Sequence, residues 1–133
     1  MGRYLIRRLI LAIPTLLLIS FVLFAITAFL GLSMVAIRES TGRNPPAWLT
    51  MFHGLPAAAG LTLLLYAACA LGVPRLAIAA LVLFLIAAGG GAILNLVYQQ
   101  QGHLLPRWLM YLHLLLAVAG FVLLAIVVFA PTT

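Results

Sequence analysis

Apolar residues in this chain do not alternate with polar ones at the period of a strand or of a one-faced helix; they run on. Four runs, Leu9–Ile37, Ala47–Leu71, Leu76–Tyr98 and Trp108–Ala130, each meet the length of roughly 20 residues that a helix needs to cross a bilayer. Polar residues collect between them. Two of the breaks, Arg38–Ala47 and Gln99–Arg107, each carry a glycine and place a proline at or next to the following helix start, where its missing N–H is no loss. The third, Leu71-Gly72-Val73-Pro74-Arg75, is a tight turn with a glycine stop and a proline restart. Links this short make neighbouring helices antiparallel. The pattern predicts an all-α integral membrane protein: a four-helix up-down bundle forming a single transmembrane domain over residues 1–133. The first run is longer than the apolar core of a signal peptide, 7–15 residues as a rough rule, and is read as retained.

The chain also repeats itself. At a fixed offset of 60, residues 14–73 and 74–133 share 20 identities in 60 aligned pairs. The pairs include Pro14 with Pro74, Phe24 with Phe84, Gly31 with Gly91, Gly42 with Gly102, Pro46 with Pro106 and Trp48 with Trp108. Low-complexity apolar sequence produces chance matches of Leu and Ala, but not of Pro, Trp, His and Gly at one spacing. The expected architecture is therefore two tandem helical hairpins, repeat 1 over about 14–73 and repeat 2 over about 74–133. With two spans per repeat, both copies keep one orientation, related by a pseudo-twofold axis along the membrane normal.

Within the repeat, the longest shared motif is P-x-W-L-x3-H-x-L-x-A-x-A-G-x2-L-L, starting at Pro46 and at Pro106. It places His53 and His113 at the same depth on helices 2 and 4, which lie across a diagonal. His53, Ala57, Gly60 and Leu64 form one helical stripe, and His113, Ala117, Gly120 and Leu124 repeat it. The small residues are expected to leave a flat hollow beside each histidine. An ionisable residue inside a membrane segment is costly and marks a functional site by default. Imidazole is a haem ligand, so the candidate metal ligands are His53 and His113, on one haem iron, and the candidate cofactor-binding positions add Ala57, Gly60, Ala117 and Gly120. Two axial imidazoles leave no position for oxygen or substrate, which points to one-electron transfer. The bland alternative is histidines that hydrogen-bond between helices and small residues that serve packing.

Composition narrows this further. The chain is 67% hydrophobic and 6% charged, with a net charge of +6 from seven arginines and one acid, Glu39. The arginines sit at segment ends and read as topology signals rather than as a nucleic-acid surface. Arg3, Arg7, Arg8 and Arg75 fall on one side, and Arg38, Arg43 and Arg107 on the other, offset by Glu39. This favours cytoplasmic termini and a bacterial inner-membrane setting. Tyr4 marks the inner boundary and Trp48, Trp108 and Tyr98 the outer one. Cys69 has no partner for an internal disulfide, and no covalent haem-attachment motif occurs. No paired carboxylates, nucleophile–base pair, phosphate loop or thiolate metal motif is present, which weighs toward an electron-transfer protein or subunit and leaves enzymatic activity open. His103 and Asn95 read as an interfacial polar residue and a helix–helix hydrogen-bonding residue. Ser20 and Thr27 are expected to bond back to their own helix. Gly89-Gly90-Gly91 is expected to make the hollow asymmetric, opening it toward helix 3.

The paired histidines on facing helices resemble the small four-helix membrane b-type cytochromes, cytochrome b561-like in the broad sense. That resemblance implies haem b between the two histidines and electron exchange with a quinone or a redox-protein partner. A typical member of that group holds two haems with four histidines; only two intramembrane histidines occur here, so one haem is expected. The ending LPRWLMYLHLLLAVAGFVLL is similar to small four-helix bacterial membrane proteins that bring no assigned function. The stretch from Arg3 to Leu16 resembles the first helix of peptide-type ABC permeases, but Pro14 is accounted for by its repeat mate Pro74. Two functions are carried forward. One is a membrane electron carrier with one b-type haem, or with a chlorin as the weaker alternative. The other is a cofactor-free accessory or assembly subunit of a larger membrane complex or homo-oligomer.

Overall fold

The structure, a computed structural model, describes residues 2–129, without the side chains of residues 2–5, 9 and 10. Ala130, the last residue of the fourth expected run, lies outside the described residues, as do the side chains of Arg3 and Tyr4. The described chain is an all-α bundle: α1 (Gly2–Thr41), α2 (Ala47–Tyr66), α3 (Arg75–Ile93) and α4 (Arg107–Phe129). α2 and α3 each end in a wider π turn, Ala67–Leu71 and Leu94–Gln99, which carries the apolar span to 25 residues in both. All four helices are long and apolar enough to cross a membrane.

The ends follow local chemistry. Pro46 and Pro74 are extended residues just ahead of α2 and α3, and their carbonyls accept the first helical N–H groups. Gly42 and Gly102, repeat mates, both adopt a left-handed conformation (φ 67° and 71°) where the chain leaves its outer helix ends. A residue with a Cβ would be strained there. Two prolines lie inside helices, Pro14 in α1 and Pro56 in α2.

Polarity runs inside-out. Phe29, Leu32, Leu55, Leu115 and Phe129 are exposed, while Ser20, Thr27 and Arg38 are buried. Soluble monomers rarely show apolar patches beyond a few hundred Å²; here the apolar surface goes all the way round, as an integral membrane protein requires. Within the bundle α1 packs on α2 and α4, and α3 packs on α4 and more lightly on α2. The inner core joins Leu17, Phe24, Leu64, Ala77, Ala80, Leu81, Phe84 and Leu124. At its heart Phe24 and Phe84 stack with ring centres 3.9 Å apart and planes 9° from parallel. A smaller outer core joins Leu94, Leu105 and Leu109. The histidines lie between the two.

The outer loops are laced together by polar contacts. Asn44 Nδ2 donates to the His103 carbonyl (2.7 Å) and Asn44 Oδ1 accepts from Leu105 N (3.0 Å). Gln99 Nε2 donates to the Pro45 carbonyl (2.7 Å), and Arg38 Nη2 donates to the Leu105 carbonyl (3.3 Å). Arg107 and Glu39 form an exposed ion pair at 3.1 Å, a contact worth under about 1 kcal/mol. The neutral contacts, which cross from one repeat to the other, are the ones that close this end of the bundle.

Candidate functional site

The site is built by two equivalent sets of contacts. His53 Nδ1 lies 2.9 Å from the main-chain oxygen of Thr27, and His113 Nδ1 lies 2.8 Å from that of Ala87. Both links span 26 residues, and Thr27 and Ala87 are repeat mates. Each histidine is thus held by the neighbouring helix of its own hairpin. The imidazole fits because that helix offers glycine. A Cβ at Gly31 would stand 2.9 Å from His53 Cε1, and one at Gly91 would stand 3.1 Å from His113 Cε1. A Cβ at Gly31 would force the His53 ring to shift, and one at Gly91 would require the His113 ring to give by a few tenths of an ångström.

Held this way, the rings face the bundle axis, their centres 6.2 Å apart and their planes inclined by 66°. The hydrogen bonds also settle the tautomer. A carbonyl oxygen only accepts, so Nδ1 carries a proton in both rings, and in the neutral imidazole Nε2 is left with a bare lone pair. Neither Nε2 takes part in a hydrogen bond among the described residues. Such a lone pair can accept a hydrogen bond or bind a metal ion. An Nδ1–H bonded to a carbonyl is also how metal-ligating histidines are generally oriented from behind.

The hollow expected over the small residues is filled. A Cβ at Gly60 would stand 3.3 Å from Leu23 Cβ and 3.4 Å from the Phe24 ring, and one at Gly120 would stand 3.1 Å from the Phe84 ring and 3.3 Å from the Ala80 carbonyl. These glycines let α1 approach α2 and α3 approach α4, and the two phenylalanines then close the axis on the inner side of the histidines. Ala57 and Ala117 are half-buried on the same helices. Of the glycine run, Gly91 receives the His113 ring as its mate Gly31 receives that of His53, a Cβ at Gly90 would meet His113 at 3.9 Å where the other repeat has Leu30, and Gly89 faces open space.

Other polar residues depart from expectation as well. Thr15, Ser33, Ser40, Thr41 and Thr62 bond back to carbonyls of their own helix, but buried Ser20 Oγ and Thr27 Oγ1 have no partner among the described residues. The Asn95 side chain makes no helix–helix hydrogen bond; it lines a cleft of about 380 Å³ between α2 and the end of α3, with Thr50, Met51, Gly54, Leu55 and Gln99. His103 is exposed and takes part in the loop lacing through its main chain. Trp48 and Trp108 are exposed in the first turns of α2 and α4, and Tyr98 is half-buried beside the outer core. Three roles were missed in the sequence: the ring-seating glycines, the axial phenylalanines and the burial of Arg38. The first two were visible as repeat mates. Arg38 carried no signal, because an arginine at the end of an apolar run looks the same whether buried or solvated.

The donor set fits a metal ion on the axis. Two facing imidazole nitrogens bound at about 2.0 Å each put their ring centres about 6 Å apart. For a porphyrin iron the two imidazoles are suitable ligands, but the macrocycle extends to both sides of its iron and on the inner side it meets the Phe24–Phe84 stack, so seating it requires that stack to part. No group of three or more His, Cys, Asp or Glu residues comes together among the described residues. Comparison with protein-family models, with curated proteins and with solved structures finds no match.

Proposed function

We propose that the protein is a membrane electron carrier that holds one haem b between His53 and His113. The observation that carries this reading is the matched pair of contacts: each Nδ1 is tied to a carbonyl, neither Nε2 has a hydrogen bond among the described residues, and the rings are 6.2 Å apart. Haem supplies a one-electron iron couple when bound. The chain's own residues orient both imidazoles, Thr27 and Ala87 through their carbonyls and Gly31 and Gly91 by yielding space. The apolar helices around them exclude water, which favours a change of one electron over chemistry that needs a proton donor or a nucleophile. A chlorin would use the same ligands. A quinone or a redox protein reaching the outer half of the bundle is the proposed exchange partner. The arginine distribution supports cytoplasmic termini in a bacterial inner membrane.

A second reading has its own support. The Phe24–Phe84 stack and the filled glycine positions make a closed apolar core, as suits a cofactor-free accessory or assembly subunit whose histidines serve packing. A reduced-minus-oxidised visible spectrum of the protein purified from its membrane separates the two. The electron-carrier reading predicts a b-type band, lost in both His53→Ala and His113→Ala. A colourless preparation that stays colourless after hemin is added rules it out in favour of the second.

A further inference from the structure

Arg38 stands apart from every other charged residue described. It lies in the last turn of α1 and is 7% exposed. Burial of a guanidinium is expensive unless it is paired and its N–H groups are satisfied. Arg38 has one hydrogen bond, from Nη2 to the Leu105 carbonyl at 3.3 Å, and its Nε–H is buried with no partner. The only acid in the chain, Glu39, is turned to Arg107 instead. The negative end of α1 and the Leu105 carbonyl offset part of the charge and leave Nε untouched. The repeat mate of Arg38 is Tyr98, half-buried and uncharged, so this cation belongs to one side of the bundle alone. Along α1 it stands seven residues beyond Gly31, which seats His53; at about 1.5 Å per residue that is roughly 10 Å outward of the histidine layer.

We propose that Arg38 is the seat of an anionic oxygen group, a carboxylate or a phosphate, that completes its charge and takes the Nε–H. Two sources carry that chemistry to this depth. One is a carboxylate of the group held at the histidine pair, and this source rests on the function proposed above. The other is the phosphate of an outer-leaflet lipid, which does not. In either case the ligand is held one way round, because Tyr98 offers no matching cation on the opposite side. A guanidinium–carboxylate contact is the stronger, charge-assisted kind of hydrogen bond, so losing it weakens binding by about tenfold or more.

Two arms test this on the full-length protein. In the first, wild type is titrated with hemin and with hemin dimethyl ester, whose carboxylates are capped, and binding is read from the Soret band. In the second, protein in nanodiscs that mix phosphatidylglycerol with a phosphate-free galactolipid is released into native mass spectrometry and the retained lipids of each kind are counted. The proposal expects a preference for free-acid hemin of about tenfold, or selective retention of phosphatidylglycerol, and expects Arg38→Gln to abolish whichever preference wild type shows. Equal binding of acid and ester together with no lipid preference in wild type overturns it, and so does a preference that Arg38→Gln leaves intact. The wild-type comparisons stand even if the variant misfolds. Failure of both hemin forms to bind would count against the histidine-pair reading alone, and the lipid arm would then decide the fate of Arg38.

Discussion

The two hairpins of this bundle are most informative where they agree and where they part. They agree on the axis. His53 and His113 take the same hydrogen bond at the same separation, Gly31 and Gly91 receive the rings, Phe24 and Phe84 stack on each other, and Leu64 and Leu124 are both fully buried. They part just off the axis: Ser20 faces inward where its mate is Ala80, Thr27 where it is Ala87, and Arg38 where it is Tyr98. Every one of these differences puts the polar residue in the first hairpin. The shared positions are those that orient two imidazoles; these three unshared ones add buried polar groups to α1. A ligand on the axis would meet symmetric ligation and an asymmetric surrounding.

That comparison can be broken by substitution. The largest effect on stability is expected at the phenylalanine stack. Phe24→Ala and Phe84→Ala should each cost about 3 kcal/mol, near the low end for buried aromatics, because lipid rather than water is the competing environment. Unfolding in mixed micelles measures this, and costs that differ by more than about 1.4 kcal/mol, a factor of ten in the equilibrium, would show that the two halves do not share the core equally. Next come the ring-seating glycines. Gly31→Ala and Gly91→Ala should each cost about 1–3 kcal/mol as overpacking substitutions. Gly31→Ala should cost more, since its Cβ would stand at 2.9 Å from the ring rather than 3.1 Å. Equal stability of Gly31→Ala and wild type would mean that His53 can sit elsewhere. The smallest effect is expected where the hairpins already differ. Ser20→Ala and Thr27→Ala convert each residue toward its mate and remove a buried hydroxyl without a partner. They should be neutral or slightly stabilising, within about 1 kcal/mol. A loss of stability beyond that would show that these hydroxyls have a partner and are a structural element in their own right.

The axis was legible in the sequence because duplication wrote it twice. The offset of 60 paired His53 with His113, and an even number of spans per repeat put the pair at one depth. The same offset paired Phe24 with Phe84 and Gly31 with Gly91. Their roles stayed hidden because a stripe of small residues does not say what fills it. The stripe through Gly60 and Gly120 suggested a ligand surface; the rings that fill it come from α1 and α3, and only helix packing reveals which aromatic residue reaches which glycine. Single residues without a mate were read least well. Arg38 resembled a topology charge, and its burial depends on the second outer loop folding over the end of α1. Asn95 was read as a helix–helix contact, yet the wide turn at Leu94–Gln99 leaves it at a cleft. Bilayer length, by contrast, needed only the apolar runs, and all four helices follow them to within a few residues at most ends. The exception is α1, which is already helical from Gly2.

The central claim is that two free Nε2 atoms share one metal ion on the axis. Electron paramagnetic resonance of the ferric protein, loaded with one equivalent of hemin and frozen, tests this most directly. The account predicts a low-spin signal from an iron with imidazole on both faces, converted to a high-spin signal by His53→Ala and equally by His113→Ala. A signal unchanged by one of those substitutions, or hemin that never leaves the micelle for the protein, would contradict it.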